Sequence, residues 1–388
     1  MTGGGAATNL AFWRRELLAW LTQDAYPLWS TSGVARDGGF EECLDAEGNA
    51  LPLPRRLRVL PRQIYALVQS QRLACADDVA PIVRRSLAYL QQRYRRPDGL
   101  YRTLVDASGR PLDESALLYD HSFILLGFAS AAQILDEMVY FESEAANLWE
   151  LISTRWRQSG GFFLSADDAS DAYLSNPLMH LLEACLEWSS VGANRHWALR
   201  AVKLGNLAVE HLVDPTTGGI FEKYTMDWRP VANSEGKRVI EPGHQFEWAW
   251  LLLRCFGGES LRHREAAMQL ISLAERYGVK NRFVVNTISD DGTCRDADSR
   301  LWPQTERLKA NLLAYELTGN EAFARCAADA AEAIGAFLRT PKRGLWYDQR
   351  QSNGHFVPSP SPASSFYHLA CALTQLAACE VRQRQQRT

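Results

Sequence analysis

Two kinds of apolar pattern alternate along the chain. Stretches beginning near Arg58, Leu117, Asn176, Glu241, Trp302 and Pro362 are apolar around much of their circumference, as in Phe246-Glu247-Trp248-Ala249-Trp250-Leu251-Leu252-Leu253. Helices that are hydrophobic on most faces are buried helices. Between them run stretches with one apolar face and a face of Arg, Glu and Gln: Pro81 to Arg93, Met138 to Trp156, Asn194 to Leu212, Leu261 to Tyr277 and Asn320 to Leu338. Their spacing predicts amphipathic helices in an outer layer, and a further helix from about Asn9 to Leu21 supplies the outer partner of the last inner helix.

The two patterns are phased by a recurring turn. Gly followed by aromatic or aliphatic residues occurs at Gly38-Gly39-Phe40, Asp98-Gly99-Leu100-Tyr101, Gly160-Gly161-Phe162, Gly218-Gly219-Ile220-Phe221 and Arg343-Gly344-Leu345-Trp346. The first four are roughly sixty residues apart and the last gap is about twice that. The missing member is expected between Asn281 and Gly292, where Asn281-Arg282-Phe283-Val284-Val285 and then Asp290-Asp291-Gly292 read as a short hairpin whose glycine signal has drifted. Six units follow. They predict an all-α (α/α)6 barrel of six helical hairpins with short β-hairpin loops, one domain spanning residues 1–388. A ring of this kind also accounts for a length that exceeds the usual limit of about 300 residues for one core. The inner helices then open at one rim, where their unpaired N–H groups make a polar bowl suited to a functional site. The alternative, a two-domain α/β enzyme, lacks support: there is no Gly-x-Gly-x-x-Gly after a strand and no phosphate loop.

Charge narrows the partners. With 42 basic against 45 acidic residues and a net charge of -3, no field suits a phosphate backbone, so no nucleic acid is expected. No apolar run approaches the roughly 18 residues that span a bilayer, so no membrane partner is expected either. Residues Met1 to Thr8 form a Gly/Ala/Thr tail without a signal-peptide pattern, which makes the cytoplasm the default location. The eight cysteines form no Cys-x-x-Cys pair, and Cys185, Cys255, Cys326 and Cys371 read as small apolar fillers in helices. The 12 tryptophans and 13 tyrosines supply rings with a polar handle, of the kind that line sugar-sized pockets.

The openings of the inner helices carry the chemistry. Four of the eight histidines, His121, His180, His244 and His368, lie in the first turn or two of four different inner helices. Equal phase in a closed repeat converts to a shared cavity. His121 is the weakest member, since Asp120-His121 also fits a capping role, and His196, His211, His263 and His355 read as surface residues. His180 with Glu183, and His244 with Glu247, stand at i and i+3, where a carboxylate orients the imidazole. These pairs give little support for a metal site, which needs three or four convergent ligands, so no metal and no other cofactor is expected. At a helix N-terminus the dipole disfavours imidazolium, so the histidines are expected neutral and able to accept protons. With Arg62 to hold a developing oxyanion and aromatic walls from Tyr65, Tyr119, Trp248, Trp302 and Tyr367, the set suits proton abstraction next to a carbonyl. Arg62 as an ordinary ion-pair partner stays open at this level.

At these residues the sequence resembles the N-acylglucosamine 2-epimerase superfamily. The similarity runs through Arg62-Gln63-Ile64-Tyr65, Tyr119-Asp120-His121, Asn176 with Met179-His180, Glu241-Pro242-Gly243-His244 with Glu247-Trp248, Trp302-Pro303-Gln304-Thr305-Glu306 and Tyr367-His368. The resemblance implies an (α/α)6 barrel acting on a free monosaccharide. It implies His244, His368, Arg62 and Glu247 as catalytic residues, and Asn176, His180, Tyr119, Trp302, Glu306 and Tyr65 as substrate-binding residues. Pro362-Ala363-Ser364-Ser365-Phe366-Tyr367-His368 departs from the Lys-Gly-Pro-Phe/Tyr-His run of the N-acyl and cellobiose epimerases and is more like the mannose isomerase branch. The implied reaction is an aldose-ketose isomerisation of the D-mannose/D-fructose type through a cis-enediolate, with an aldose 2-epimerase such as an N-acylglucosamine 2-epimerase as the alternative. Two other classes are weighed. A glycoside hydrolase on the same barrel would recruit Glu247, Glu306 or Asp120 as paired carboxylates, and a non-catalytic binding protein is compatible with the fold. A monomer or homodimer is expected.

Overall fold

The computed structural model describes residues 4–74, 78–166, 172–192, 194–257 and 259–379. In chain order the helices are α1 (Gly4–Trp20), α2 (Tyr26–Thr31), α3 (Val59–Ala74), α4 (Ala80–Tyr89), α5 (Leu118–Ala132), α6 (Met138–Trp156), α7 (Ser175–Val191), α8 (Arg195–Leu207), α9 (Pro242–Phe256), α10 (Leu261–Gly278), α11 (Leu301–Thr318), α12 (Glu321–Phe337) and α13 (Ala363–Ala378). The odd-numbered helices from α3 to α13, taken as α3, α5, α7, α9, α11 and α13, form an inner ring in which each packs on the next and α13 returns to α3. Helices α4, α6, α8, α10 and α12 lie outside, each against the inner helix that precedes it, and α1 closes the outer layer against α12 and α13. The (α/α)6 barrel expected from the repeat is therefore present.

Burial follows the two sequence patterns. In α5 every residue from Phe123 to Ala132 is buried, whereas α12 buries Ala324, Ala327, Ala328, Ala330, Ala331, Ala333, Ile334, Gly335 and Phe337 and leaves the rest of its circumference more open. The first helix begins at Gly4 rather than Asn9 and, through a π turn at Leu21–Ala25, continues into α2. Met1 to Gly3 of the expected tail, and Cys75, lie outside the described residues; the other seven cysteines are free of disulfides. One outer residue departs from expectation. His263 is buried, stacked on Phe256 with ring centres 3.5 Å apart and 2.7 Å from Ser260 Oγ, because it falls on the inward face of α10.

A belt of short antiparallel pairings rings the rim where the inner helices start. Arg55–Arg56 pairs with Leu104–Val105, Leu117 with Ala166, Tyr173–Leu174 with Lys223–Tyr224, Val239–Ile240 with Ser289 and Ile288, Ser299–Arg300 with Gln349–Arg350, and Ser361–Pro362 with Cys43–Leu44. Every loop thus holds the next, and the last holds the first. Each inner helix leaves this belt directly, so its opening residues are fixed in depth and rotation.

The turn glycines Gly38, Gly99, Gly161, Gly218 and Gly344 all have positive φ, which only glycine adopts freely. In the fifth unit the turn is made instead by Asn281 and Arg282, at φ 49° and 73°, between the paired strands Val279–Lys280 and Phe283–Val284. The glycine signal is missing there because asparagine tolerates the left-handed region and the hairpin supports Arg282 in it. The residue just past the turn is clamped from the barrel. Gln304, fourth in α11, accepts from Val284 N at 2.9 Å and donates to Val284 O at 3.1 Å. Gln245, fourth in α9, does the same to Ile220, at 2.8 Å each way.

Both polar groups of Val284 are enclosed, so Gln304→Ala leaves a buried donor and acceptor unmet. A loss of about 1–3 kcal/mol is expected in urea-induced unfolding followed by circular dichroism.

Candidate active site

The belt places the second and sixth residues of successive inner helices around one small hollow. Second residues Tyr119, Asn176, Trp302 and Ser364 and sixth residues His180, Glu247 and His368 line it, together with Arg62, Glu241, His244, Arg300 and Ser365. Positions four apart on a helix share a face, which is why both layers reach the same space. The hollow has a volume of about 200 Å³, below the roughly 300–1,000 Å³ of sites for drug-sized ligands. A larger hollow of about 470 Å³ lies between α6 and α8, around Trp149, Arg157 and Arg200, and contains none of the expected catalytic or substrate-binding residues.

Trp302 sits between two imidazoles, its ring centre 5.1 Å from that of His244 and 5.6 Å from that of His368. Its position depends on Gly243. A Cβ there would come within 2.5 Å of the indole, so the Pro-Gly-His sequence makes room for the ring beside the histidine.

The two histidines are held in opposite charge states. His368 Nδ1 lies 2.9 Å from Glu306 Oε1. A carboxylate only accepts, so Nδ1 carries the hydrogen and Nε2 keeps its lone pair. Burial first, and then the charges of Arg62 and Lys309, keep the ring neutral well below the usual histidine range. His244 is different. Burial works against its charge, yet Glu222 and Glu241 override it and raise the ring to about 10. Its Nδ1 is 2.8 Å from Glu222 Oε2 and 3.6 Å from Glu241 Oε2. The expectation of two neutral histidines fails here because two carboxylates from outside the helix outweigh its dipole.

The pairing of His244 with Glu247 also fails. Glu247 points toward the barrel axis, 3.9 Å from His180 Nδ1, and its Oε1 has no hydrogen-bond partner. Burial and the neighbouring Glu306 push its carboxyl well above the ordinary range, which favours its protonated form. The expected pair His180 and Glu183 does form, at 3.0 Å, and burial takes His180 down to about 4. Tyr367 donates to the other oxygen of Glu183.

Arg62 makes no ion pair with a carboxylate among the described residues. Its Nη2 donates to Tyr119 Oη at 2.6 Å and its guanidinium lies 3.9 Å from the centre of the Phe123 ring, leaving a cation facing the hollow. This removes the ordinary ion-pair reading.

Several expected wall residues are elsewhere. Tyr65 packs edge-on against Tyr367 at 5.3 Å and faces the opposite end of the barrel, so it does not line the hollow. Trp248 and Tyr367 are fully buried in the core behind it. Glu306 is enclosed and acts behind His368 rather than in the hollow. His121 is the fourth residue of α5, in phase with Gln245 and Gln304, and like them it clamps a turn: Nε2 accepts from Tyr101 N at 3.0 Å while Nδ1 lies 2.7 Å from Leu117 O. The sequence reading missed Glu222, Glu241, Arg300 and Lys309. Glu241 stands in the Glu241-Pro242-Gly243-His244 run but is given no role there, and Glu222 follows the Gly218-Gly219-Ile220-Phe221 turn.

Three groups of His and carboxylate atoms lie within 4.8 Å of one another: His180, Glu183 and Glu247; Glu247, Glu306 and His368; and Glu222, Glu241 and His244. In the second, Lys309 already supplies a cation to Glu306. The third is the least enclosed and has the donor set to hold a divalent ion.

The sequence profile described as N-acylglucosamine 2-epimerase (GlcNAc 2-epimerase) matches residues 38–372. The chain belongs to this family. It is 37% identical over 376 residues to a mannose-6-phosphate isomerase of Rhizobium meliloti (strain 1021), covering 94% of this chain and 96% of that one. It is 26% identical to a D-mannose isomerase of Marinomonas mediterranea (strain ATCC 700492 / JCM 21426 / NBRC 103028 / MMB-1), over 86% of this chain and 89% of that one. A crystal structure of a D-mannose isomerase superposes with a TM-score of 0.85 at 23% identity, over 93% of this chain and 97% of that one, which shows the shared fold. Family membership makes the protein an enzyme of the isomerase class, with aldose isomerisation or epimerisation as its chemistry. Among the described residues no helix is long and apolar enough to cross a membrane.

The charge states predict a pH profile. Activity that needs neutral His368 and protonated His244 is flat above pH 6.5 and falls to half near pH 10 as His244 loses its proton. Initial rates of kcat/KM across this range test it, and a narrow bell centred near 6.5 would contradict the assignment.

Proposed function

We propose that the protein interconverts an aldose and its ketose, of the D-mannose/D-fructose type, through a cis-enediolate. The observation that carries the reading is the pair of imidazoles flanking Trp302, one neutral with a free Nε2 and one protonated. Groups whose environments push their pKa values apart are the acid and base of a proton-transfer reaction. Protonated His244 assists ring opening at the sugar oxygens. His368 takes the C2 proton of the open chain, exchanges it with solvent and delivers a proton to C1, forming the ketose. Arg62, with no carboxylate partner among the described residues, stabilises the enediolate oxygens. Trp302 offers its face to the C–H side of the sugar, and Tyr119, Asn176, His180 and Glu247 offer hydrogen bonds to hydroxyls. The size of the hollow supports a single free monosaccharide, and the mannose isomerases among its relatives support the hexose.

A second reading is favoured by the same pair. A base and an acid on different helices also suit a 2-epimerase, in which the proton leaves one face of C2 and returns to the other. The product distinguishes the two.

The test is NMR of the chelator-treated enzyme in D2O with D-mannose, and in parallel with mannose 6-phosphate, N-acetylmannosamine and D-glucose. Fructose carrying deuterium at C1 is expected from mannose. Glucose with deuterium at C2, or N-acetylglucosamine from N-acetylmannosamine, would establish the epimerase reading. Chelation is expected to leave turnover intact, and a loss restored by a divalent ion would assign the Glu222, Glu241 and His244 group as its holder. His368→Asn is expected to lower kcat by on the order of 100-fold or more. Normal turnover and normal deuterium incorporation in that variant would overturn the mechanism.

A further inference from the structure

Lys309 lies on α11, one turn beyond Glu306, and is wholly enclosed. Its Nζ is 2.6 Å from Glu306 Oε2, 3.6 Å from Cys371 Sγ and 3.8 Å from the centre of the Trp250 ring. It does not line the hollow, so it cannot touch the sugar. Burying an ammonium group is costly, and a well-packed apolar residue would serve stability as well or better. The use of this cation must therefore be sought in what it does to Glu306.

Glu306 is the only group holding His368 Nδ1 among the described residues. Its second oxygen faces Lys309. Burial raises the Glu306 carboxyl, nearby Glu183 adds to that, and Lys309 opposes both. The charged and titratable groups around the pair come from every inner element nearby: Arg62 on α3, His180 and Glu183 on α7, His244 and Glu247 on α9, and Tyr367, His368 and Cys371 on α13. Arg62 faces the hollow and His244 is engaged by Glu222 and Glu241, so Lys309 is the cation in contact with Glu306. If Glu306 took up a proton, it could donate to Nδ1. The imidazole hydrogen would then sit on Nε2, and the lone pair that faces the hollow would be gone.

We infer that Lys309 is a positioning residue for proton transfer: its ammonium keeps Glu306 an acceptor, and Glu306 in turn fixes His368 in the tautomer whose Nε2 lone pair faces the sugar. The inference rests on the proposed role of His368 and adds a residue that never meets the substrate. It predicts a loss in kcat rather than in KM, because the sugar contacts remain.

Lys309→Met keeps the length and removes the charge. At pH 7 its kcat is expected to fall by up to on the order of 10-fold, recovering at higher pH, with little change in KM. The acid limb of its pH profile is expected to move up by about 1–3 units, the range typical for loss of an adjacent opposite charge. In the Glu306→Gln background, adding Lys309→Met is expected to cost nothing further. Imidazole ¹⁵N spectra, with His368 identified by its absence in His368→Asn, are expected to show Nδ1–H in the native enzyme and Nε2–H in Lys309→Met. If Lys309→Met does not fold, Lys309→Gln, which keeps a donor and drops the charge, is expected to show the acid-limb shift. A folded Lys309 variant with the native acid limb and the native tautomer overturns the inference, as does an Nε2–H tautomer in the native enzyme. Full activity in His368→Asn would instead sink the proton-transfer reading itself, so the two failures are distinguishable.

Discussion

A ring of six helices can close only if every helix meets its neighbours at the same depth and rotation. The belt of loop-to-loop pairings at the N-terminal rim imposes this condition, since each inner helix starts within a residue or two of a paired strand. From it follows the layering of the site. Residues of equal rank on different helices arrive at equal height, so His180, Glu247, Glu306 and His368, each sixth in its helix, form one tier around the axis. No loop has to fold over the hollow to assemble these side chains, and this rigidity suits a reaction that depends on placing a base within hydrogen-bond reach of a carbon-bound proton.

The same tier gathers more acid than a protein interior normally accepts. Glu183, Glu247 and Glu306 are all enclosed, and the ions set against them are few: Lys309, Arg62 and, at the rim, His244. Burying ion pairs gains little stability compared with apolar packing. Their distribution instead sorts the titratable groups. One imidazole is left as a base and one as an acid, and Glu247 is pushed toward its protonated form. The distinction arises from which carboxylates reach which ring, not from the histidines themselves.

How much of this could be read from sequence depends on the range of the interaction. The helices, their order and the rim were legible because they rest on local periodicity and on a turn repeated every unit. Phase went further than composition: three of the four rim histidines reach the hollow, and His121 does not because it holds the fourth position, the one that Gln245 and Gln304 use to clamp a turn. Tyr65, Trp248 and Tyr367 were misplaced because aromatic residues on wholly buried helices carry no mark of the direction they face. The protonation of His244 was hidden for a different reason. It is set by Glu222, which lies 22 residues away in the connection that leads into α9, beyond the reach of any helix spacing.

The ring is also a statement about time. The outer partner of the last inner helix is the first helix in the chain: α1 packs on α12 and α13, and Trp29 in α2 donates to Gly344 O at 3.0 Å and stacks on Trp346. During synthesis the first helix must wait for nearly the whole polypeptide before its own binding face is covered, a long-range closure of the kind that folds slowly and leaves apolar surface open meanwhile. The proposed base, His368, rides on the helix that ends the wait. Catalytic competence and completion of the fold thus become one event, and a partly made ring carries no proton-transfer site at all.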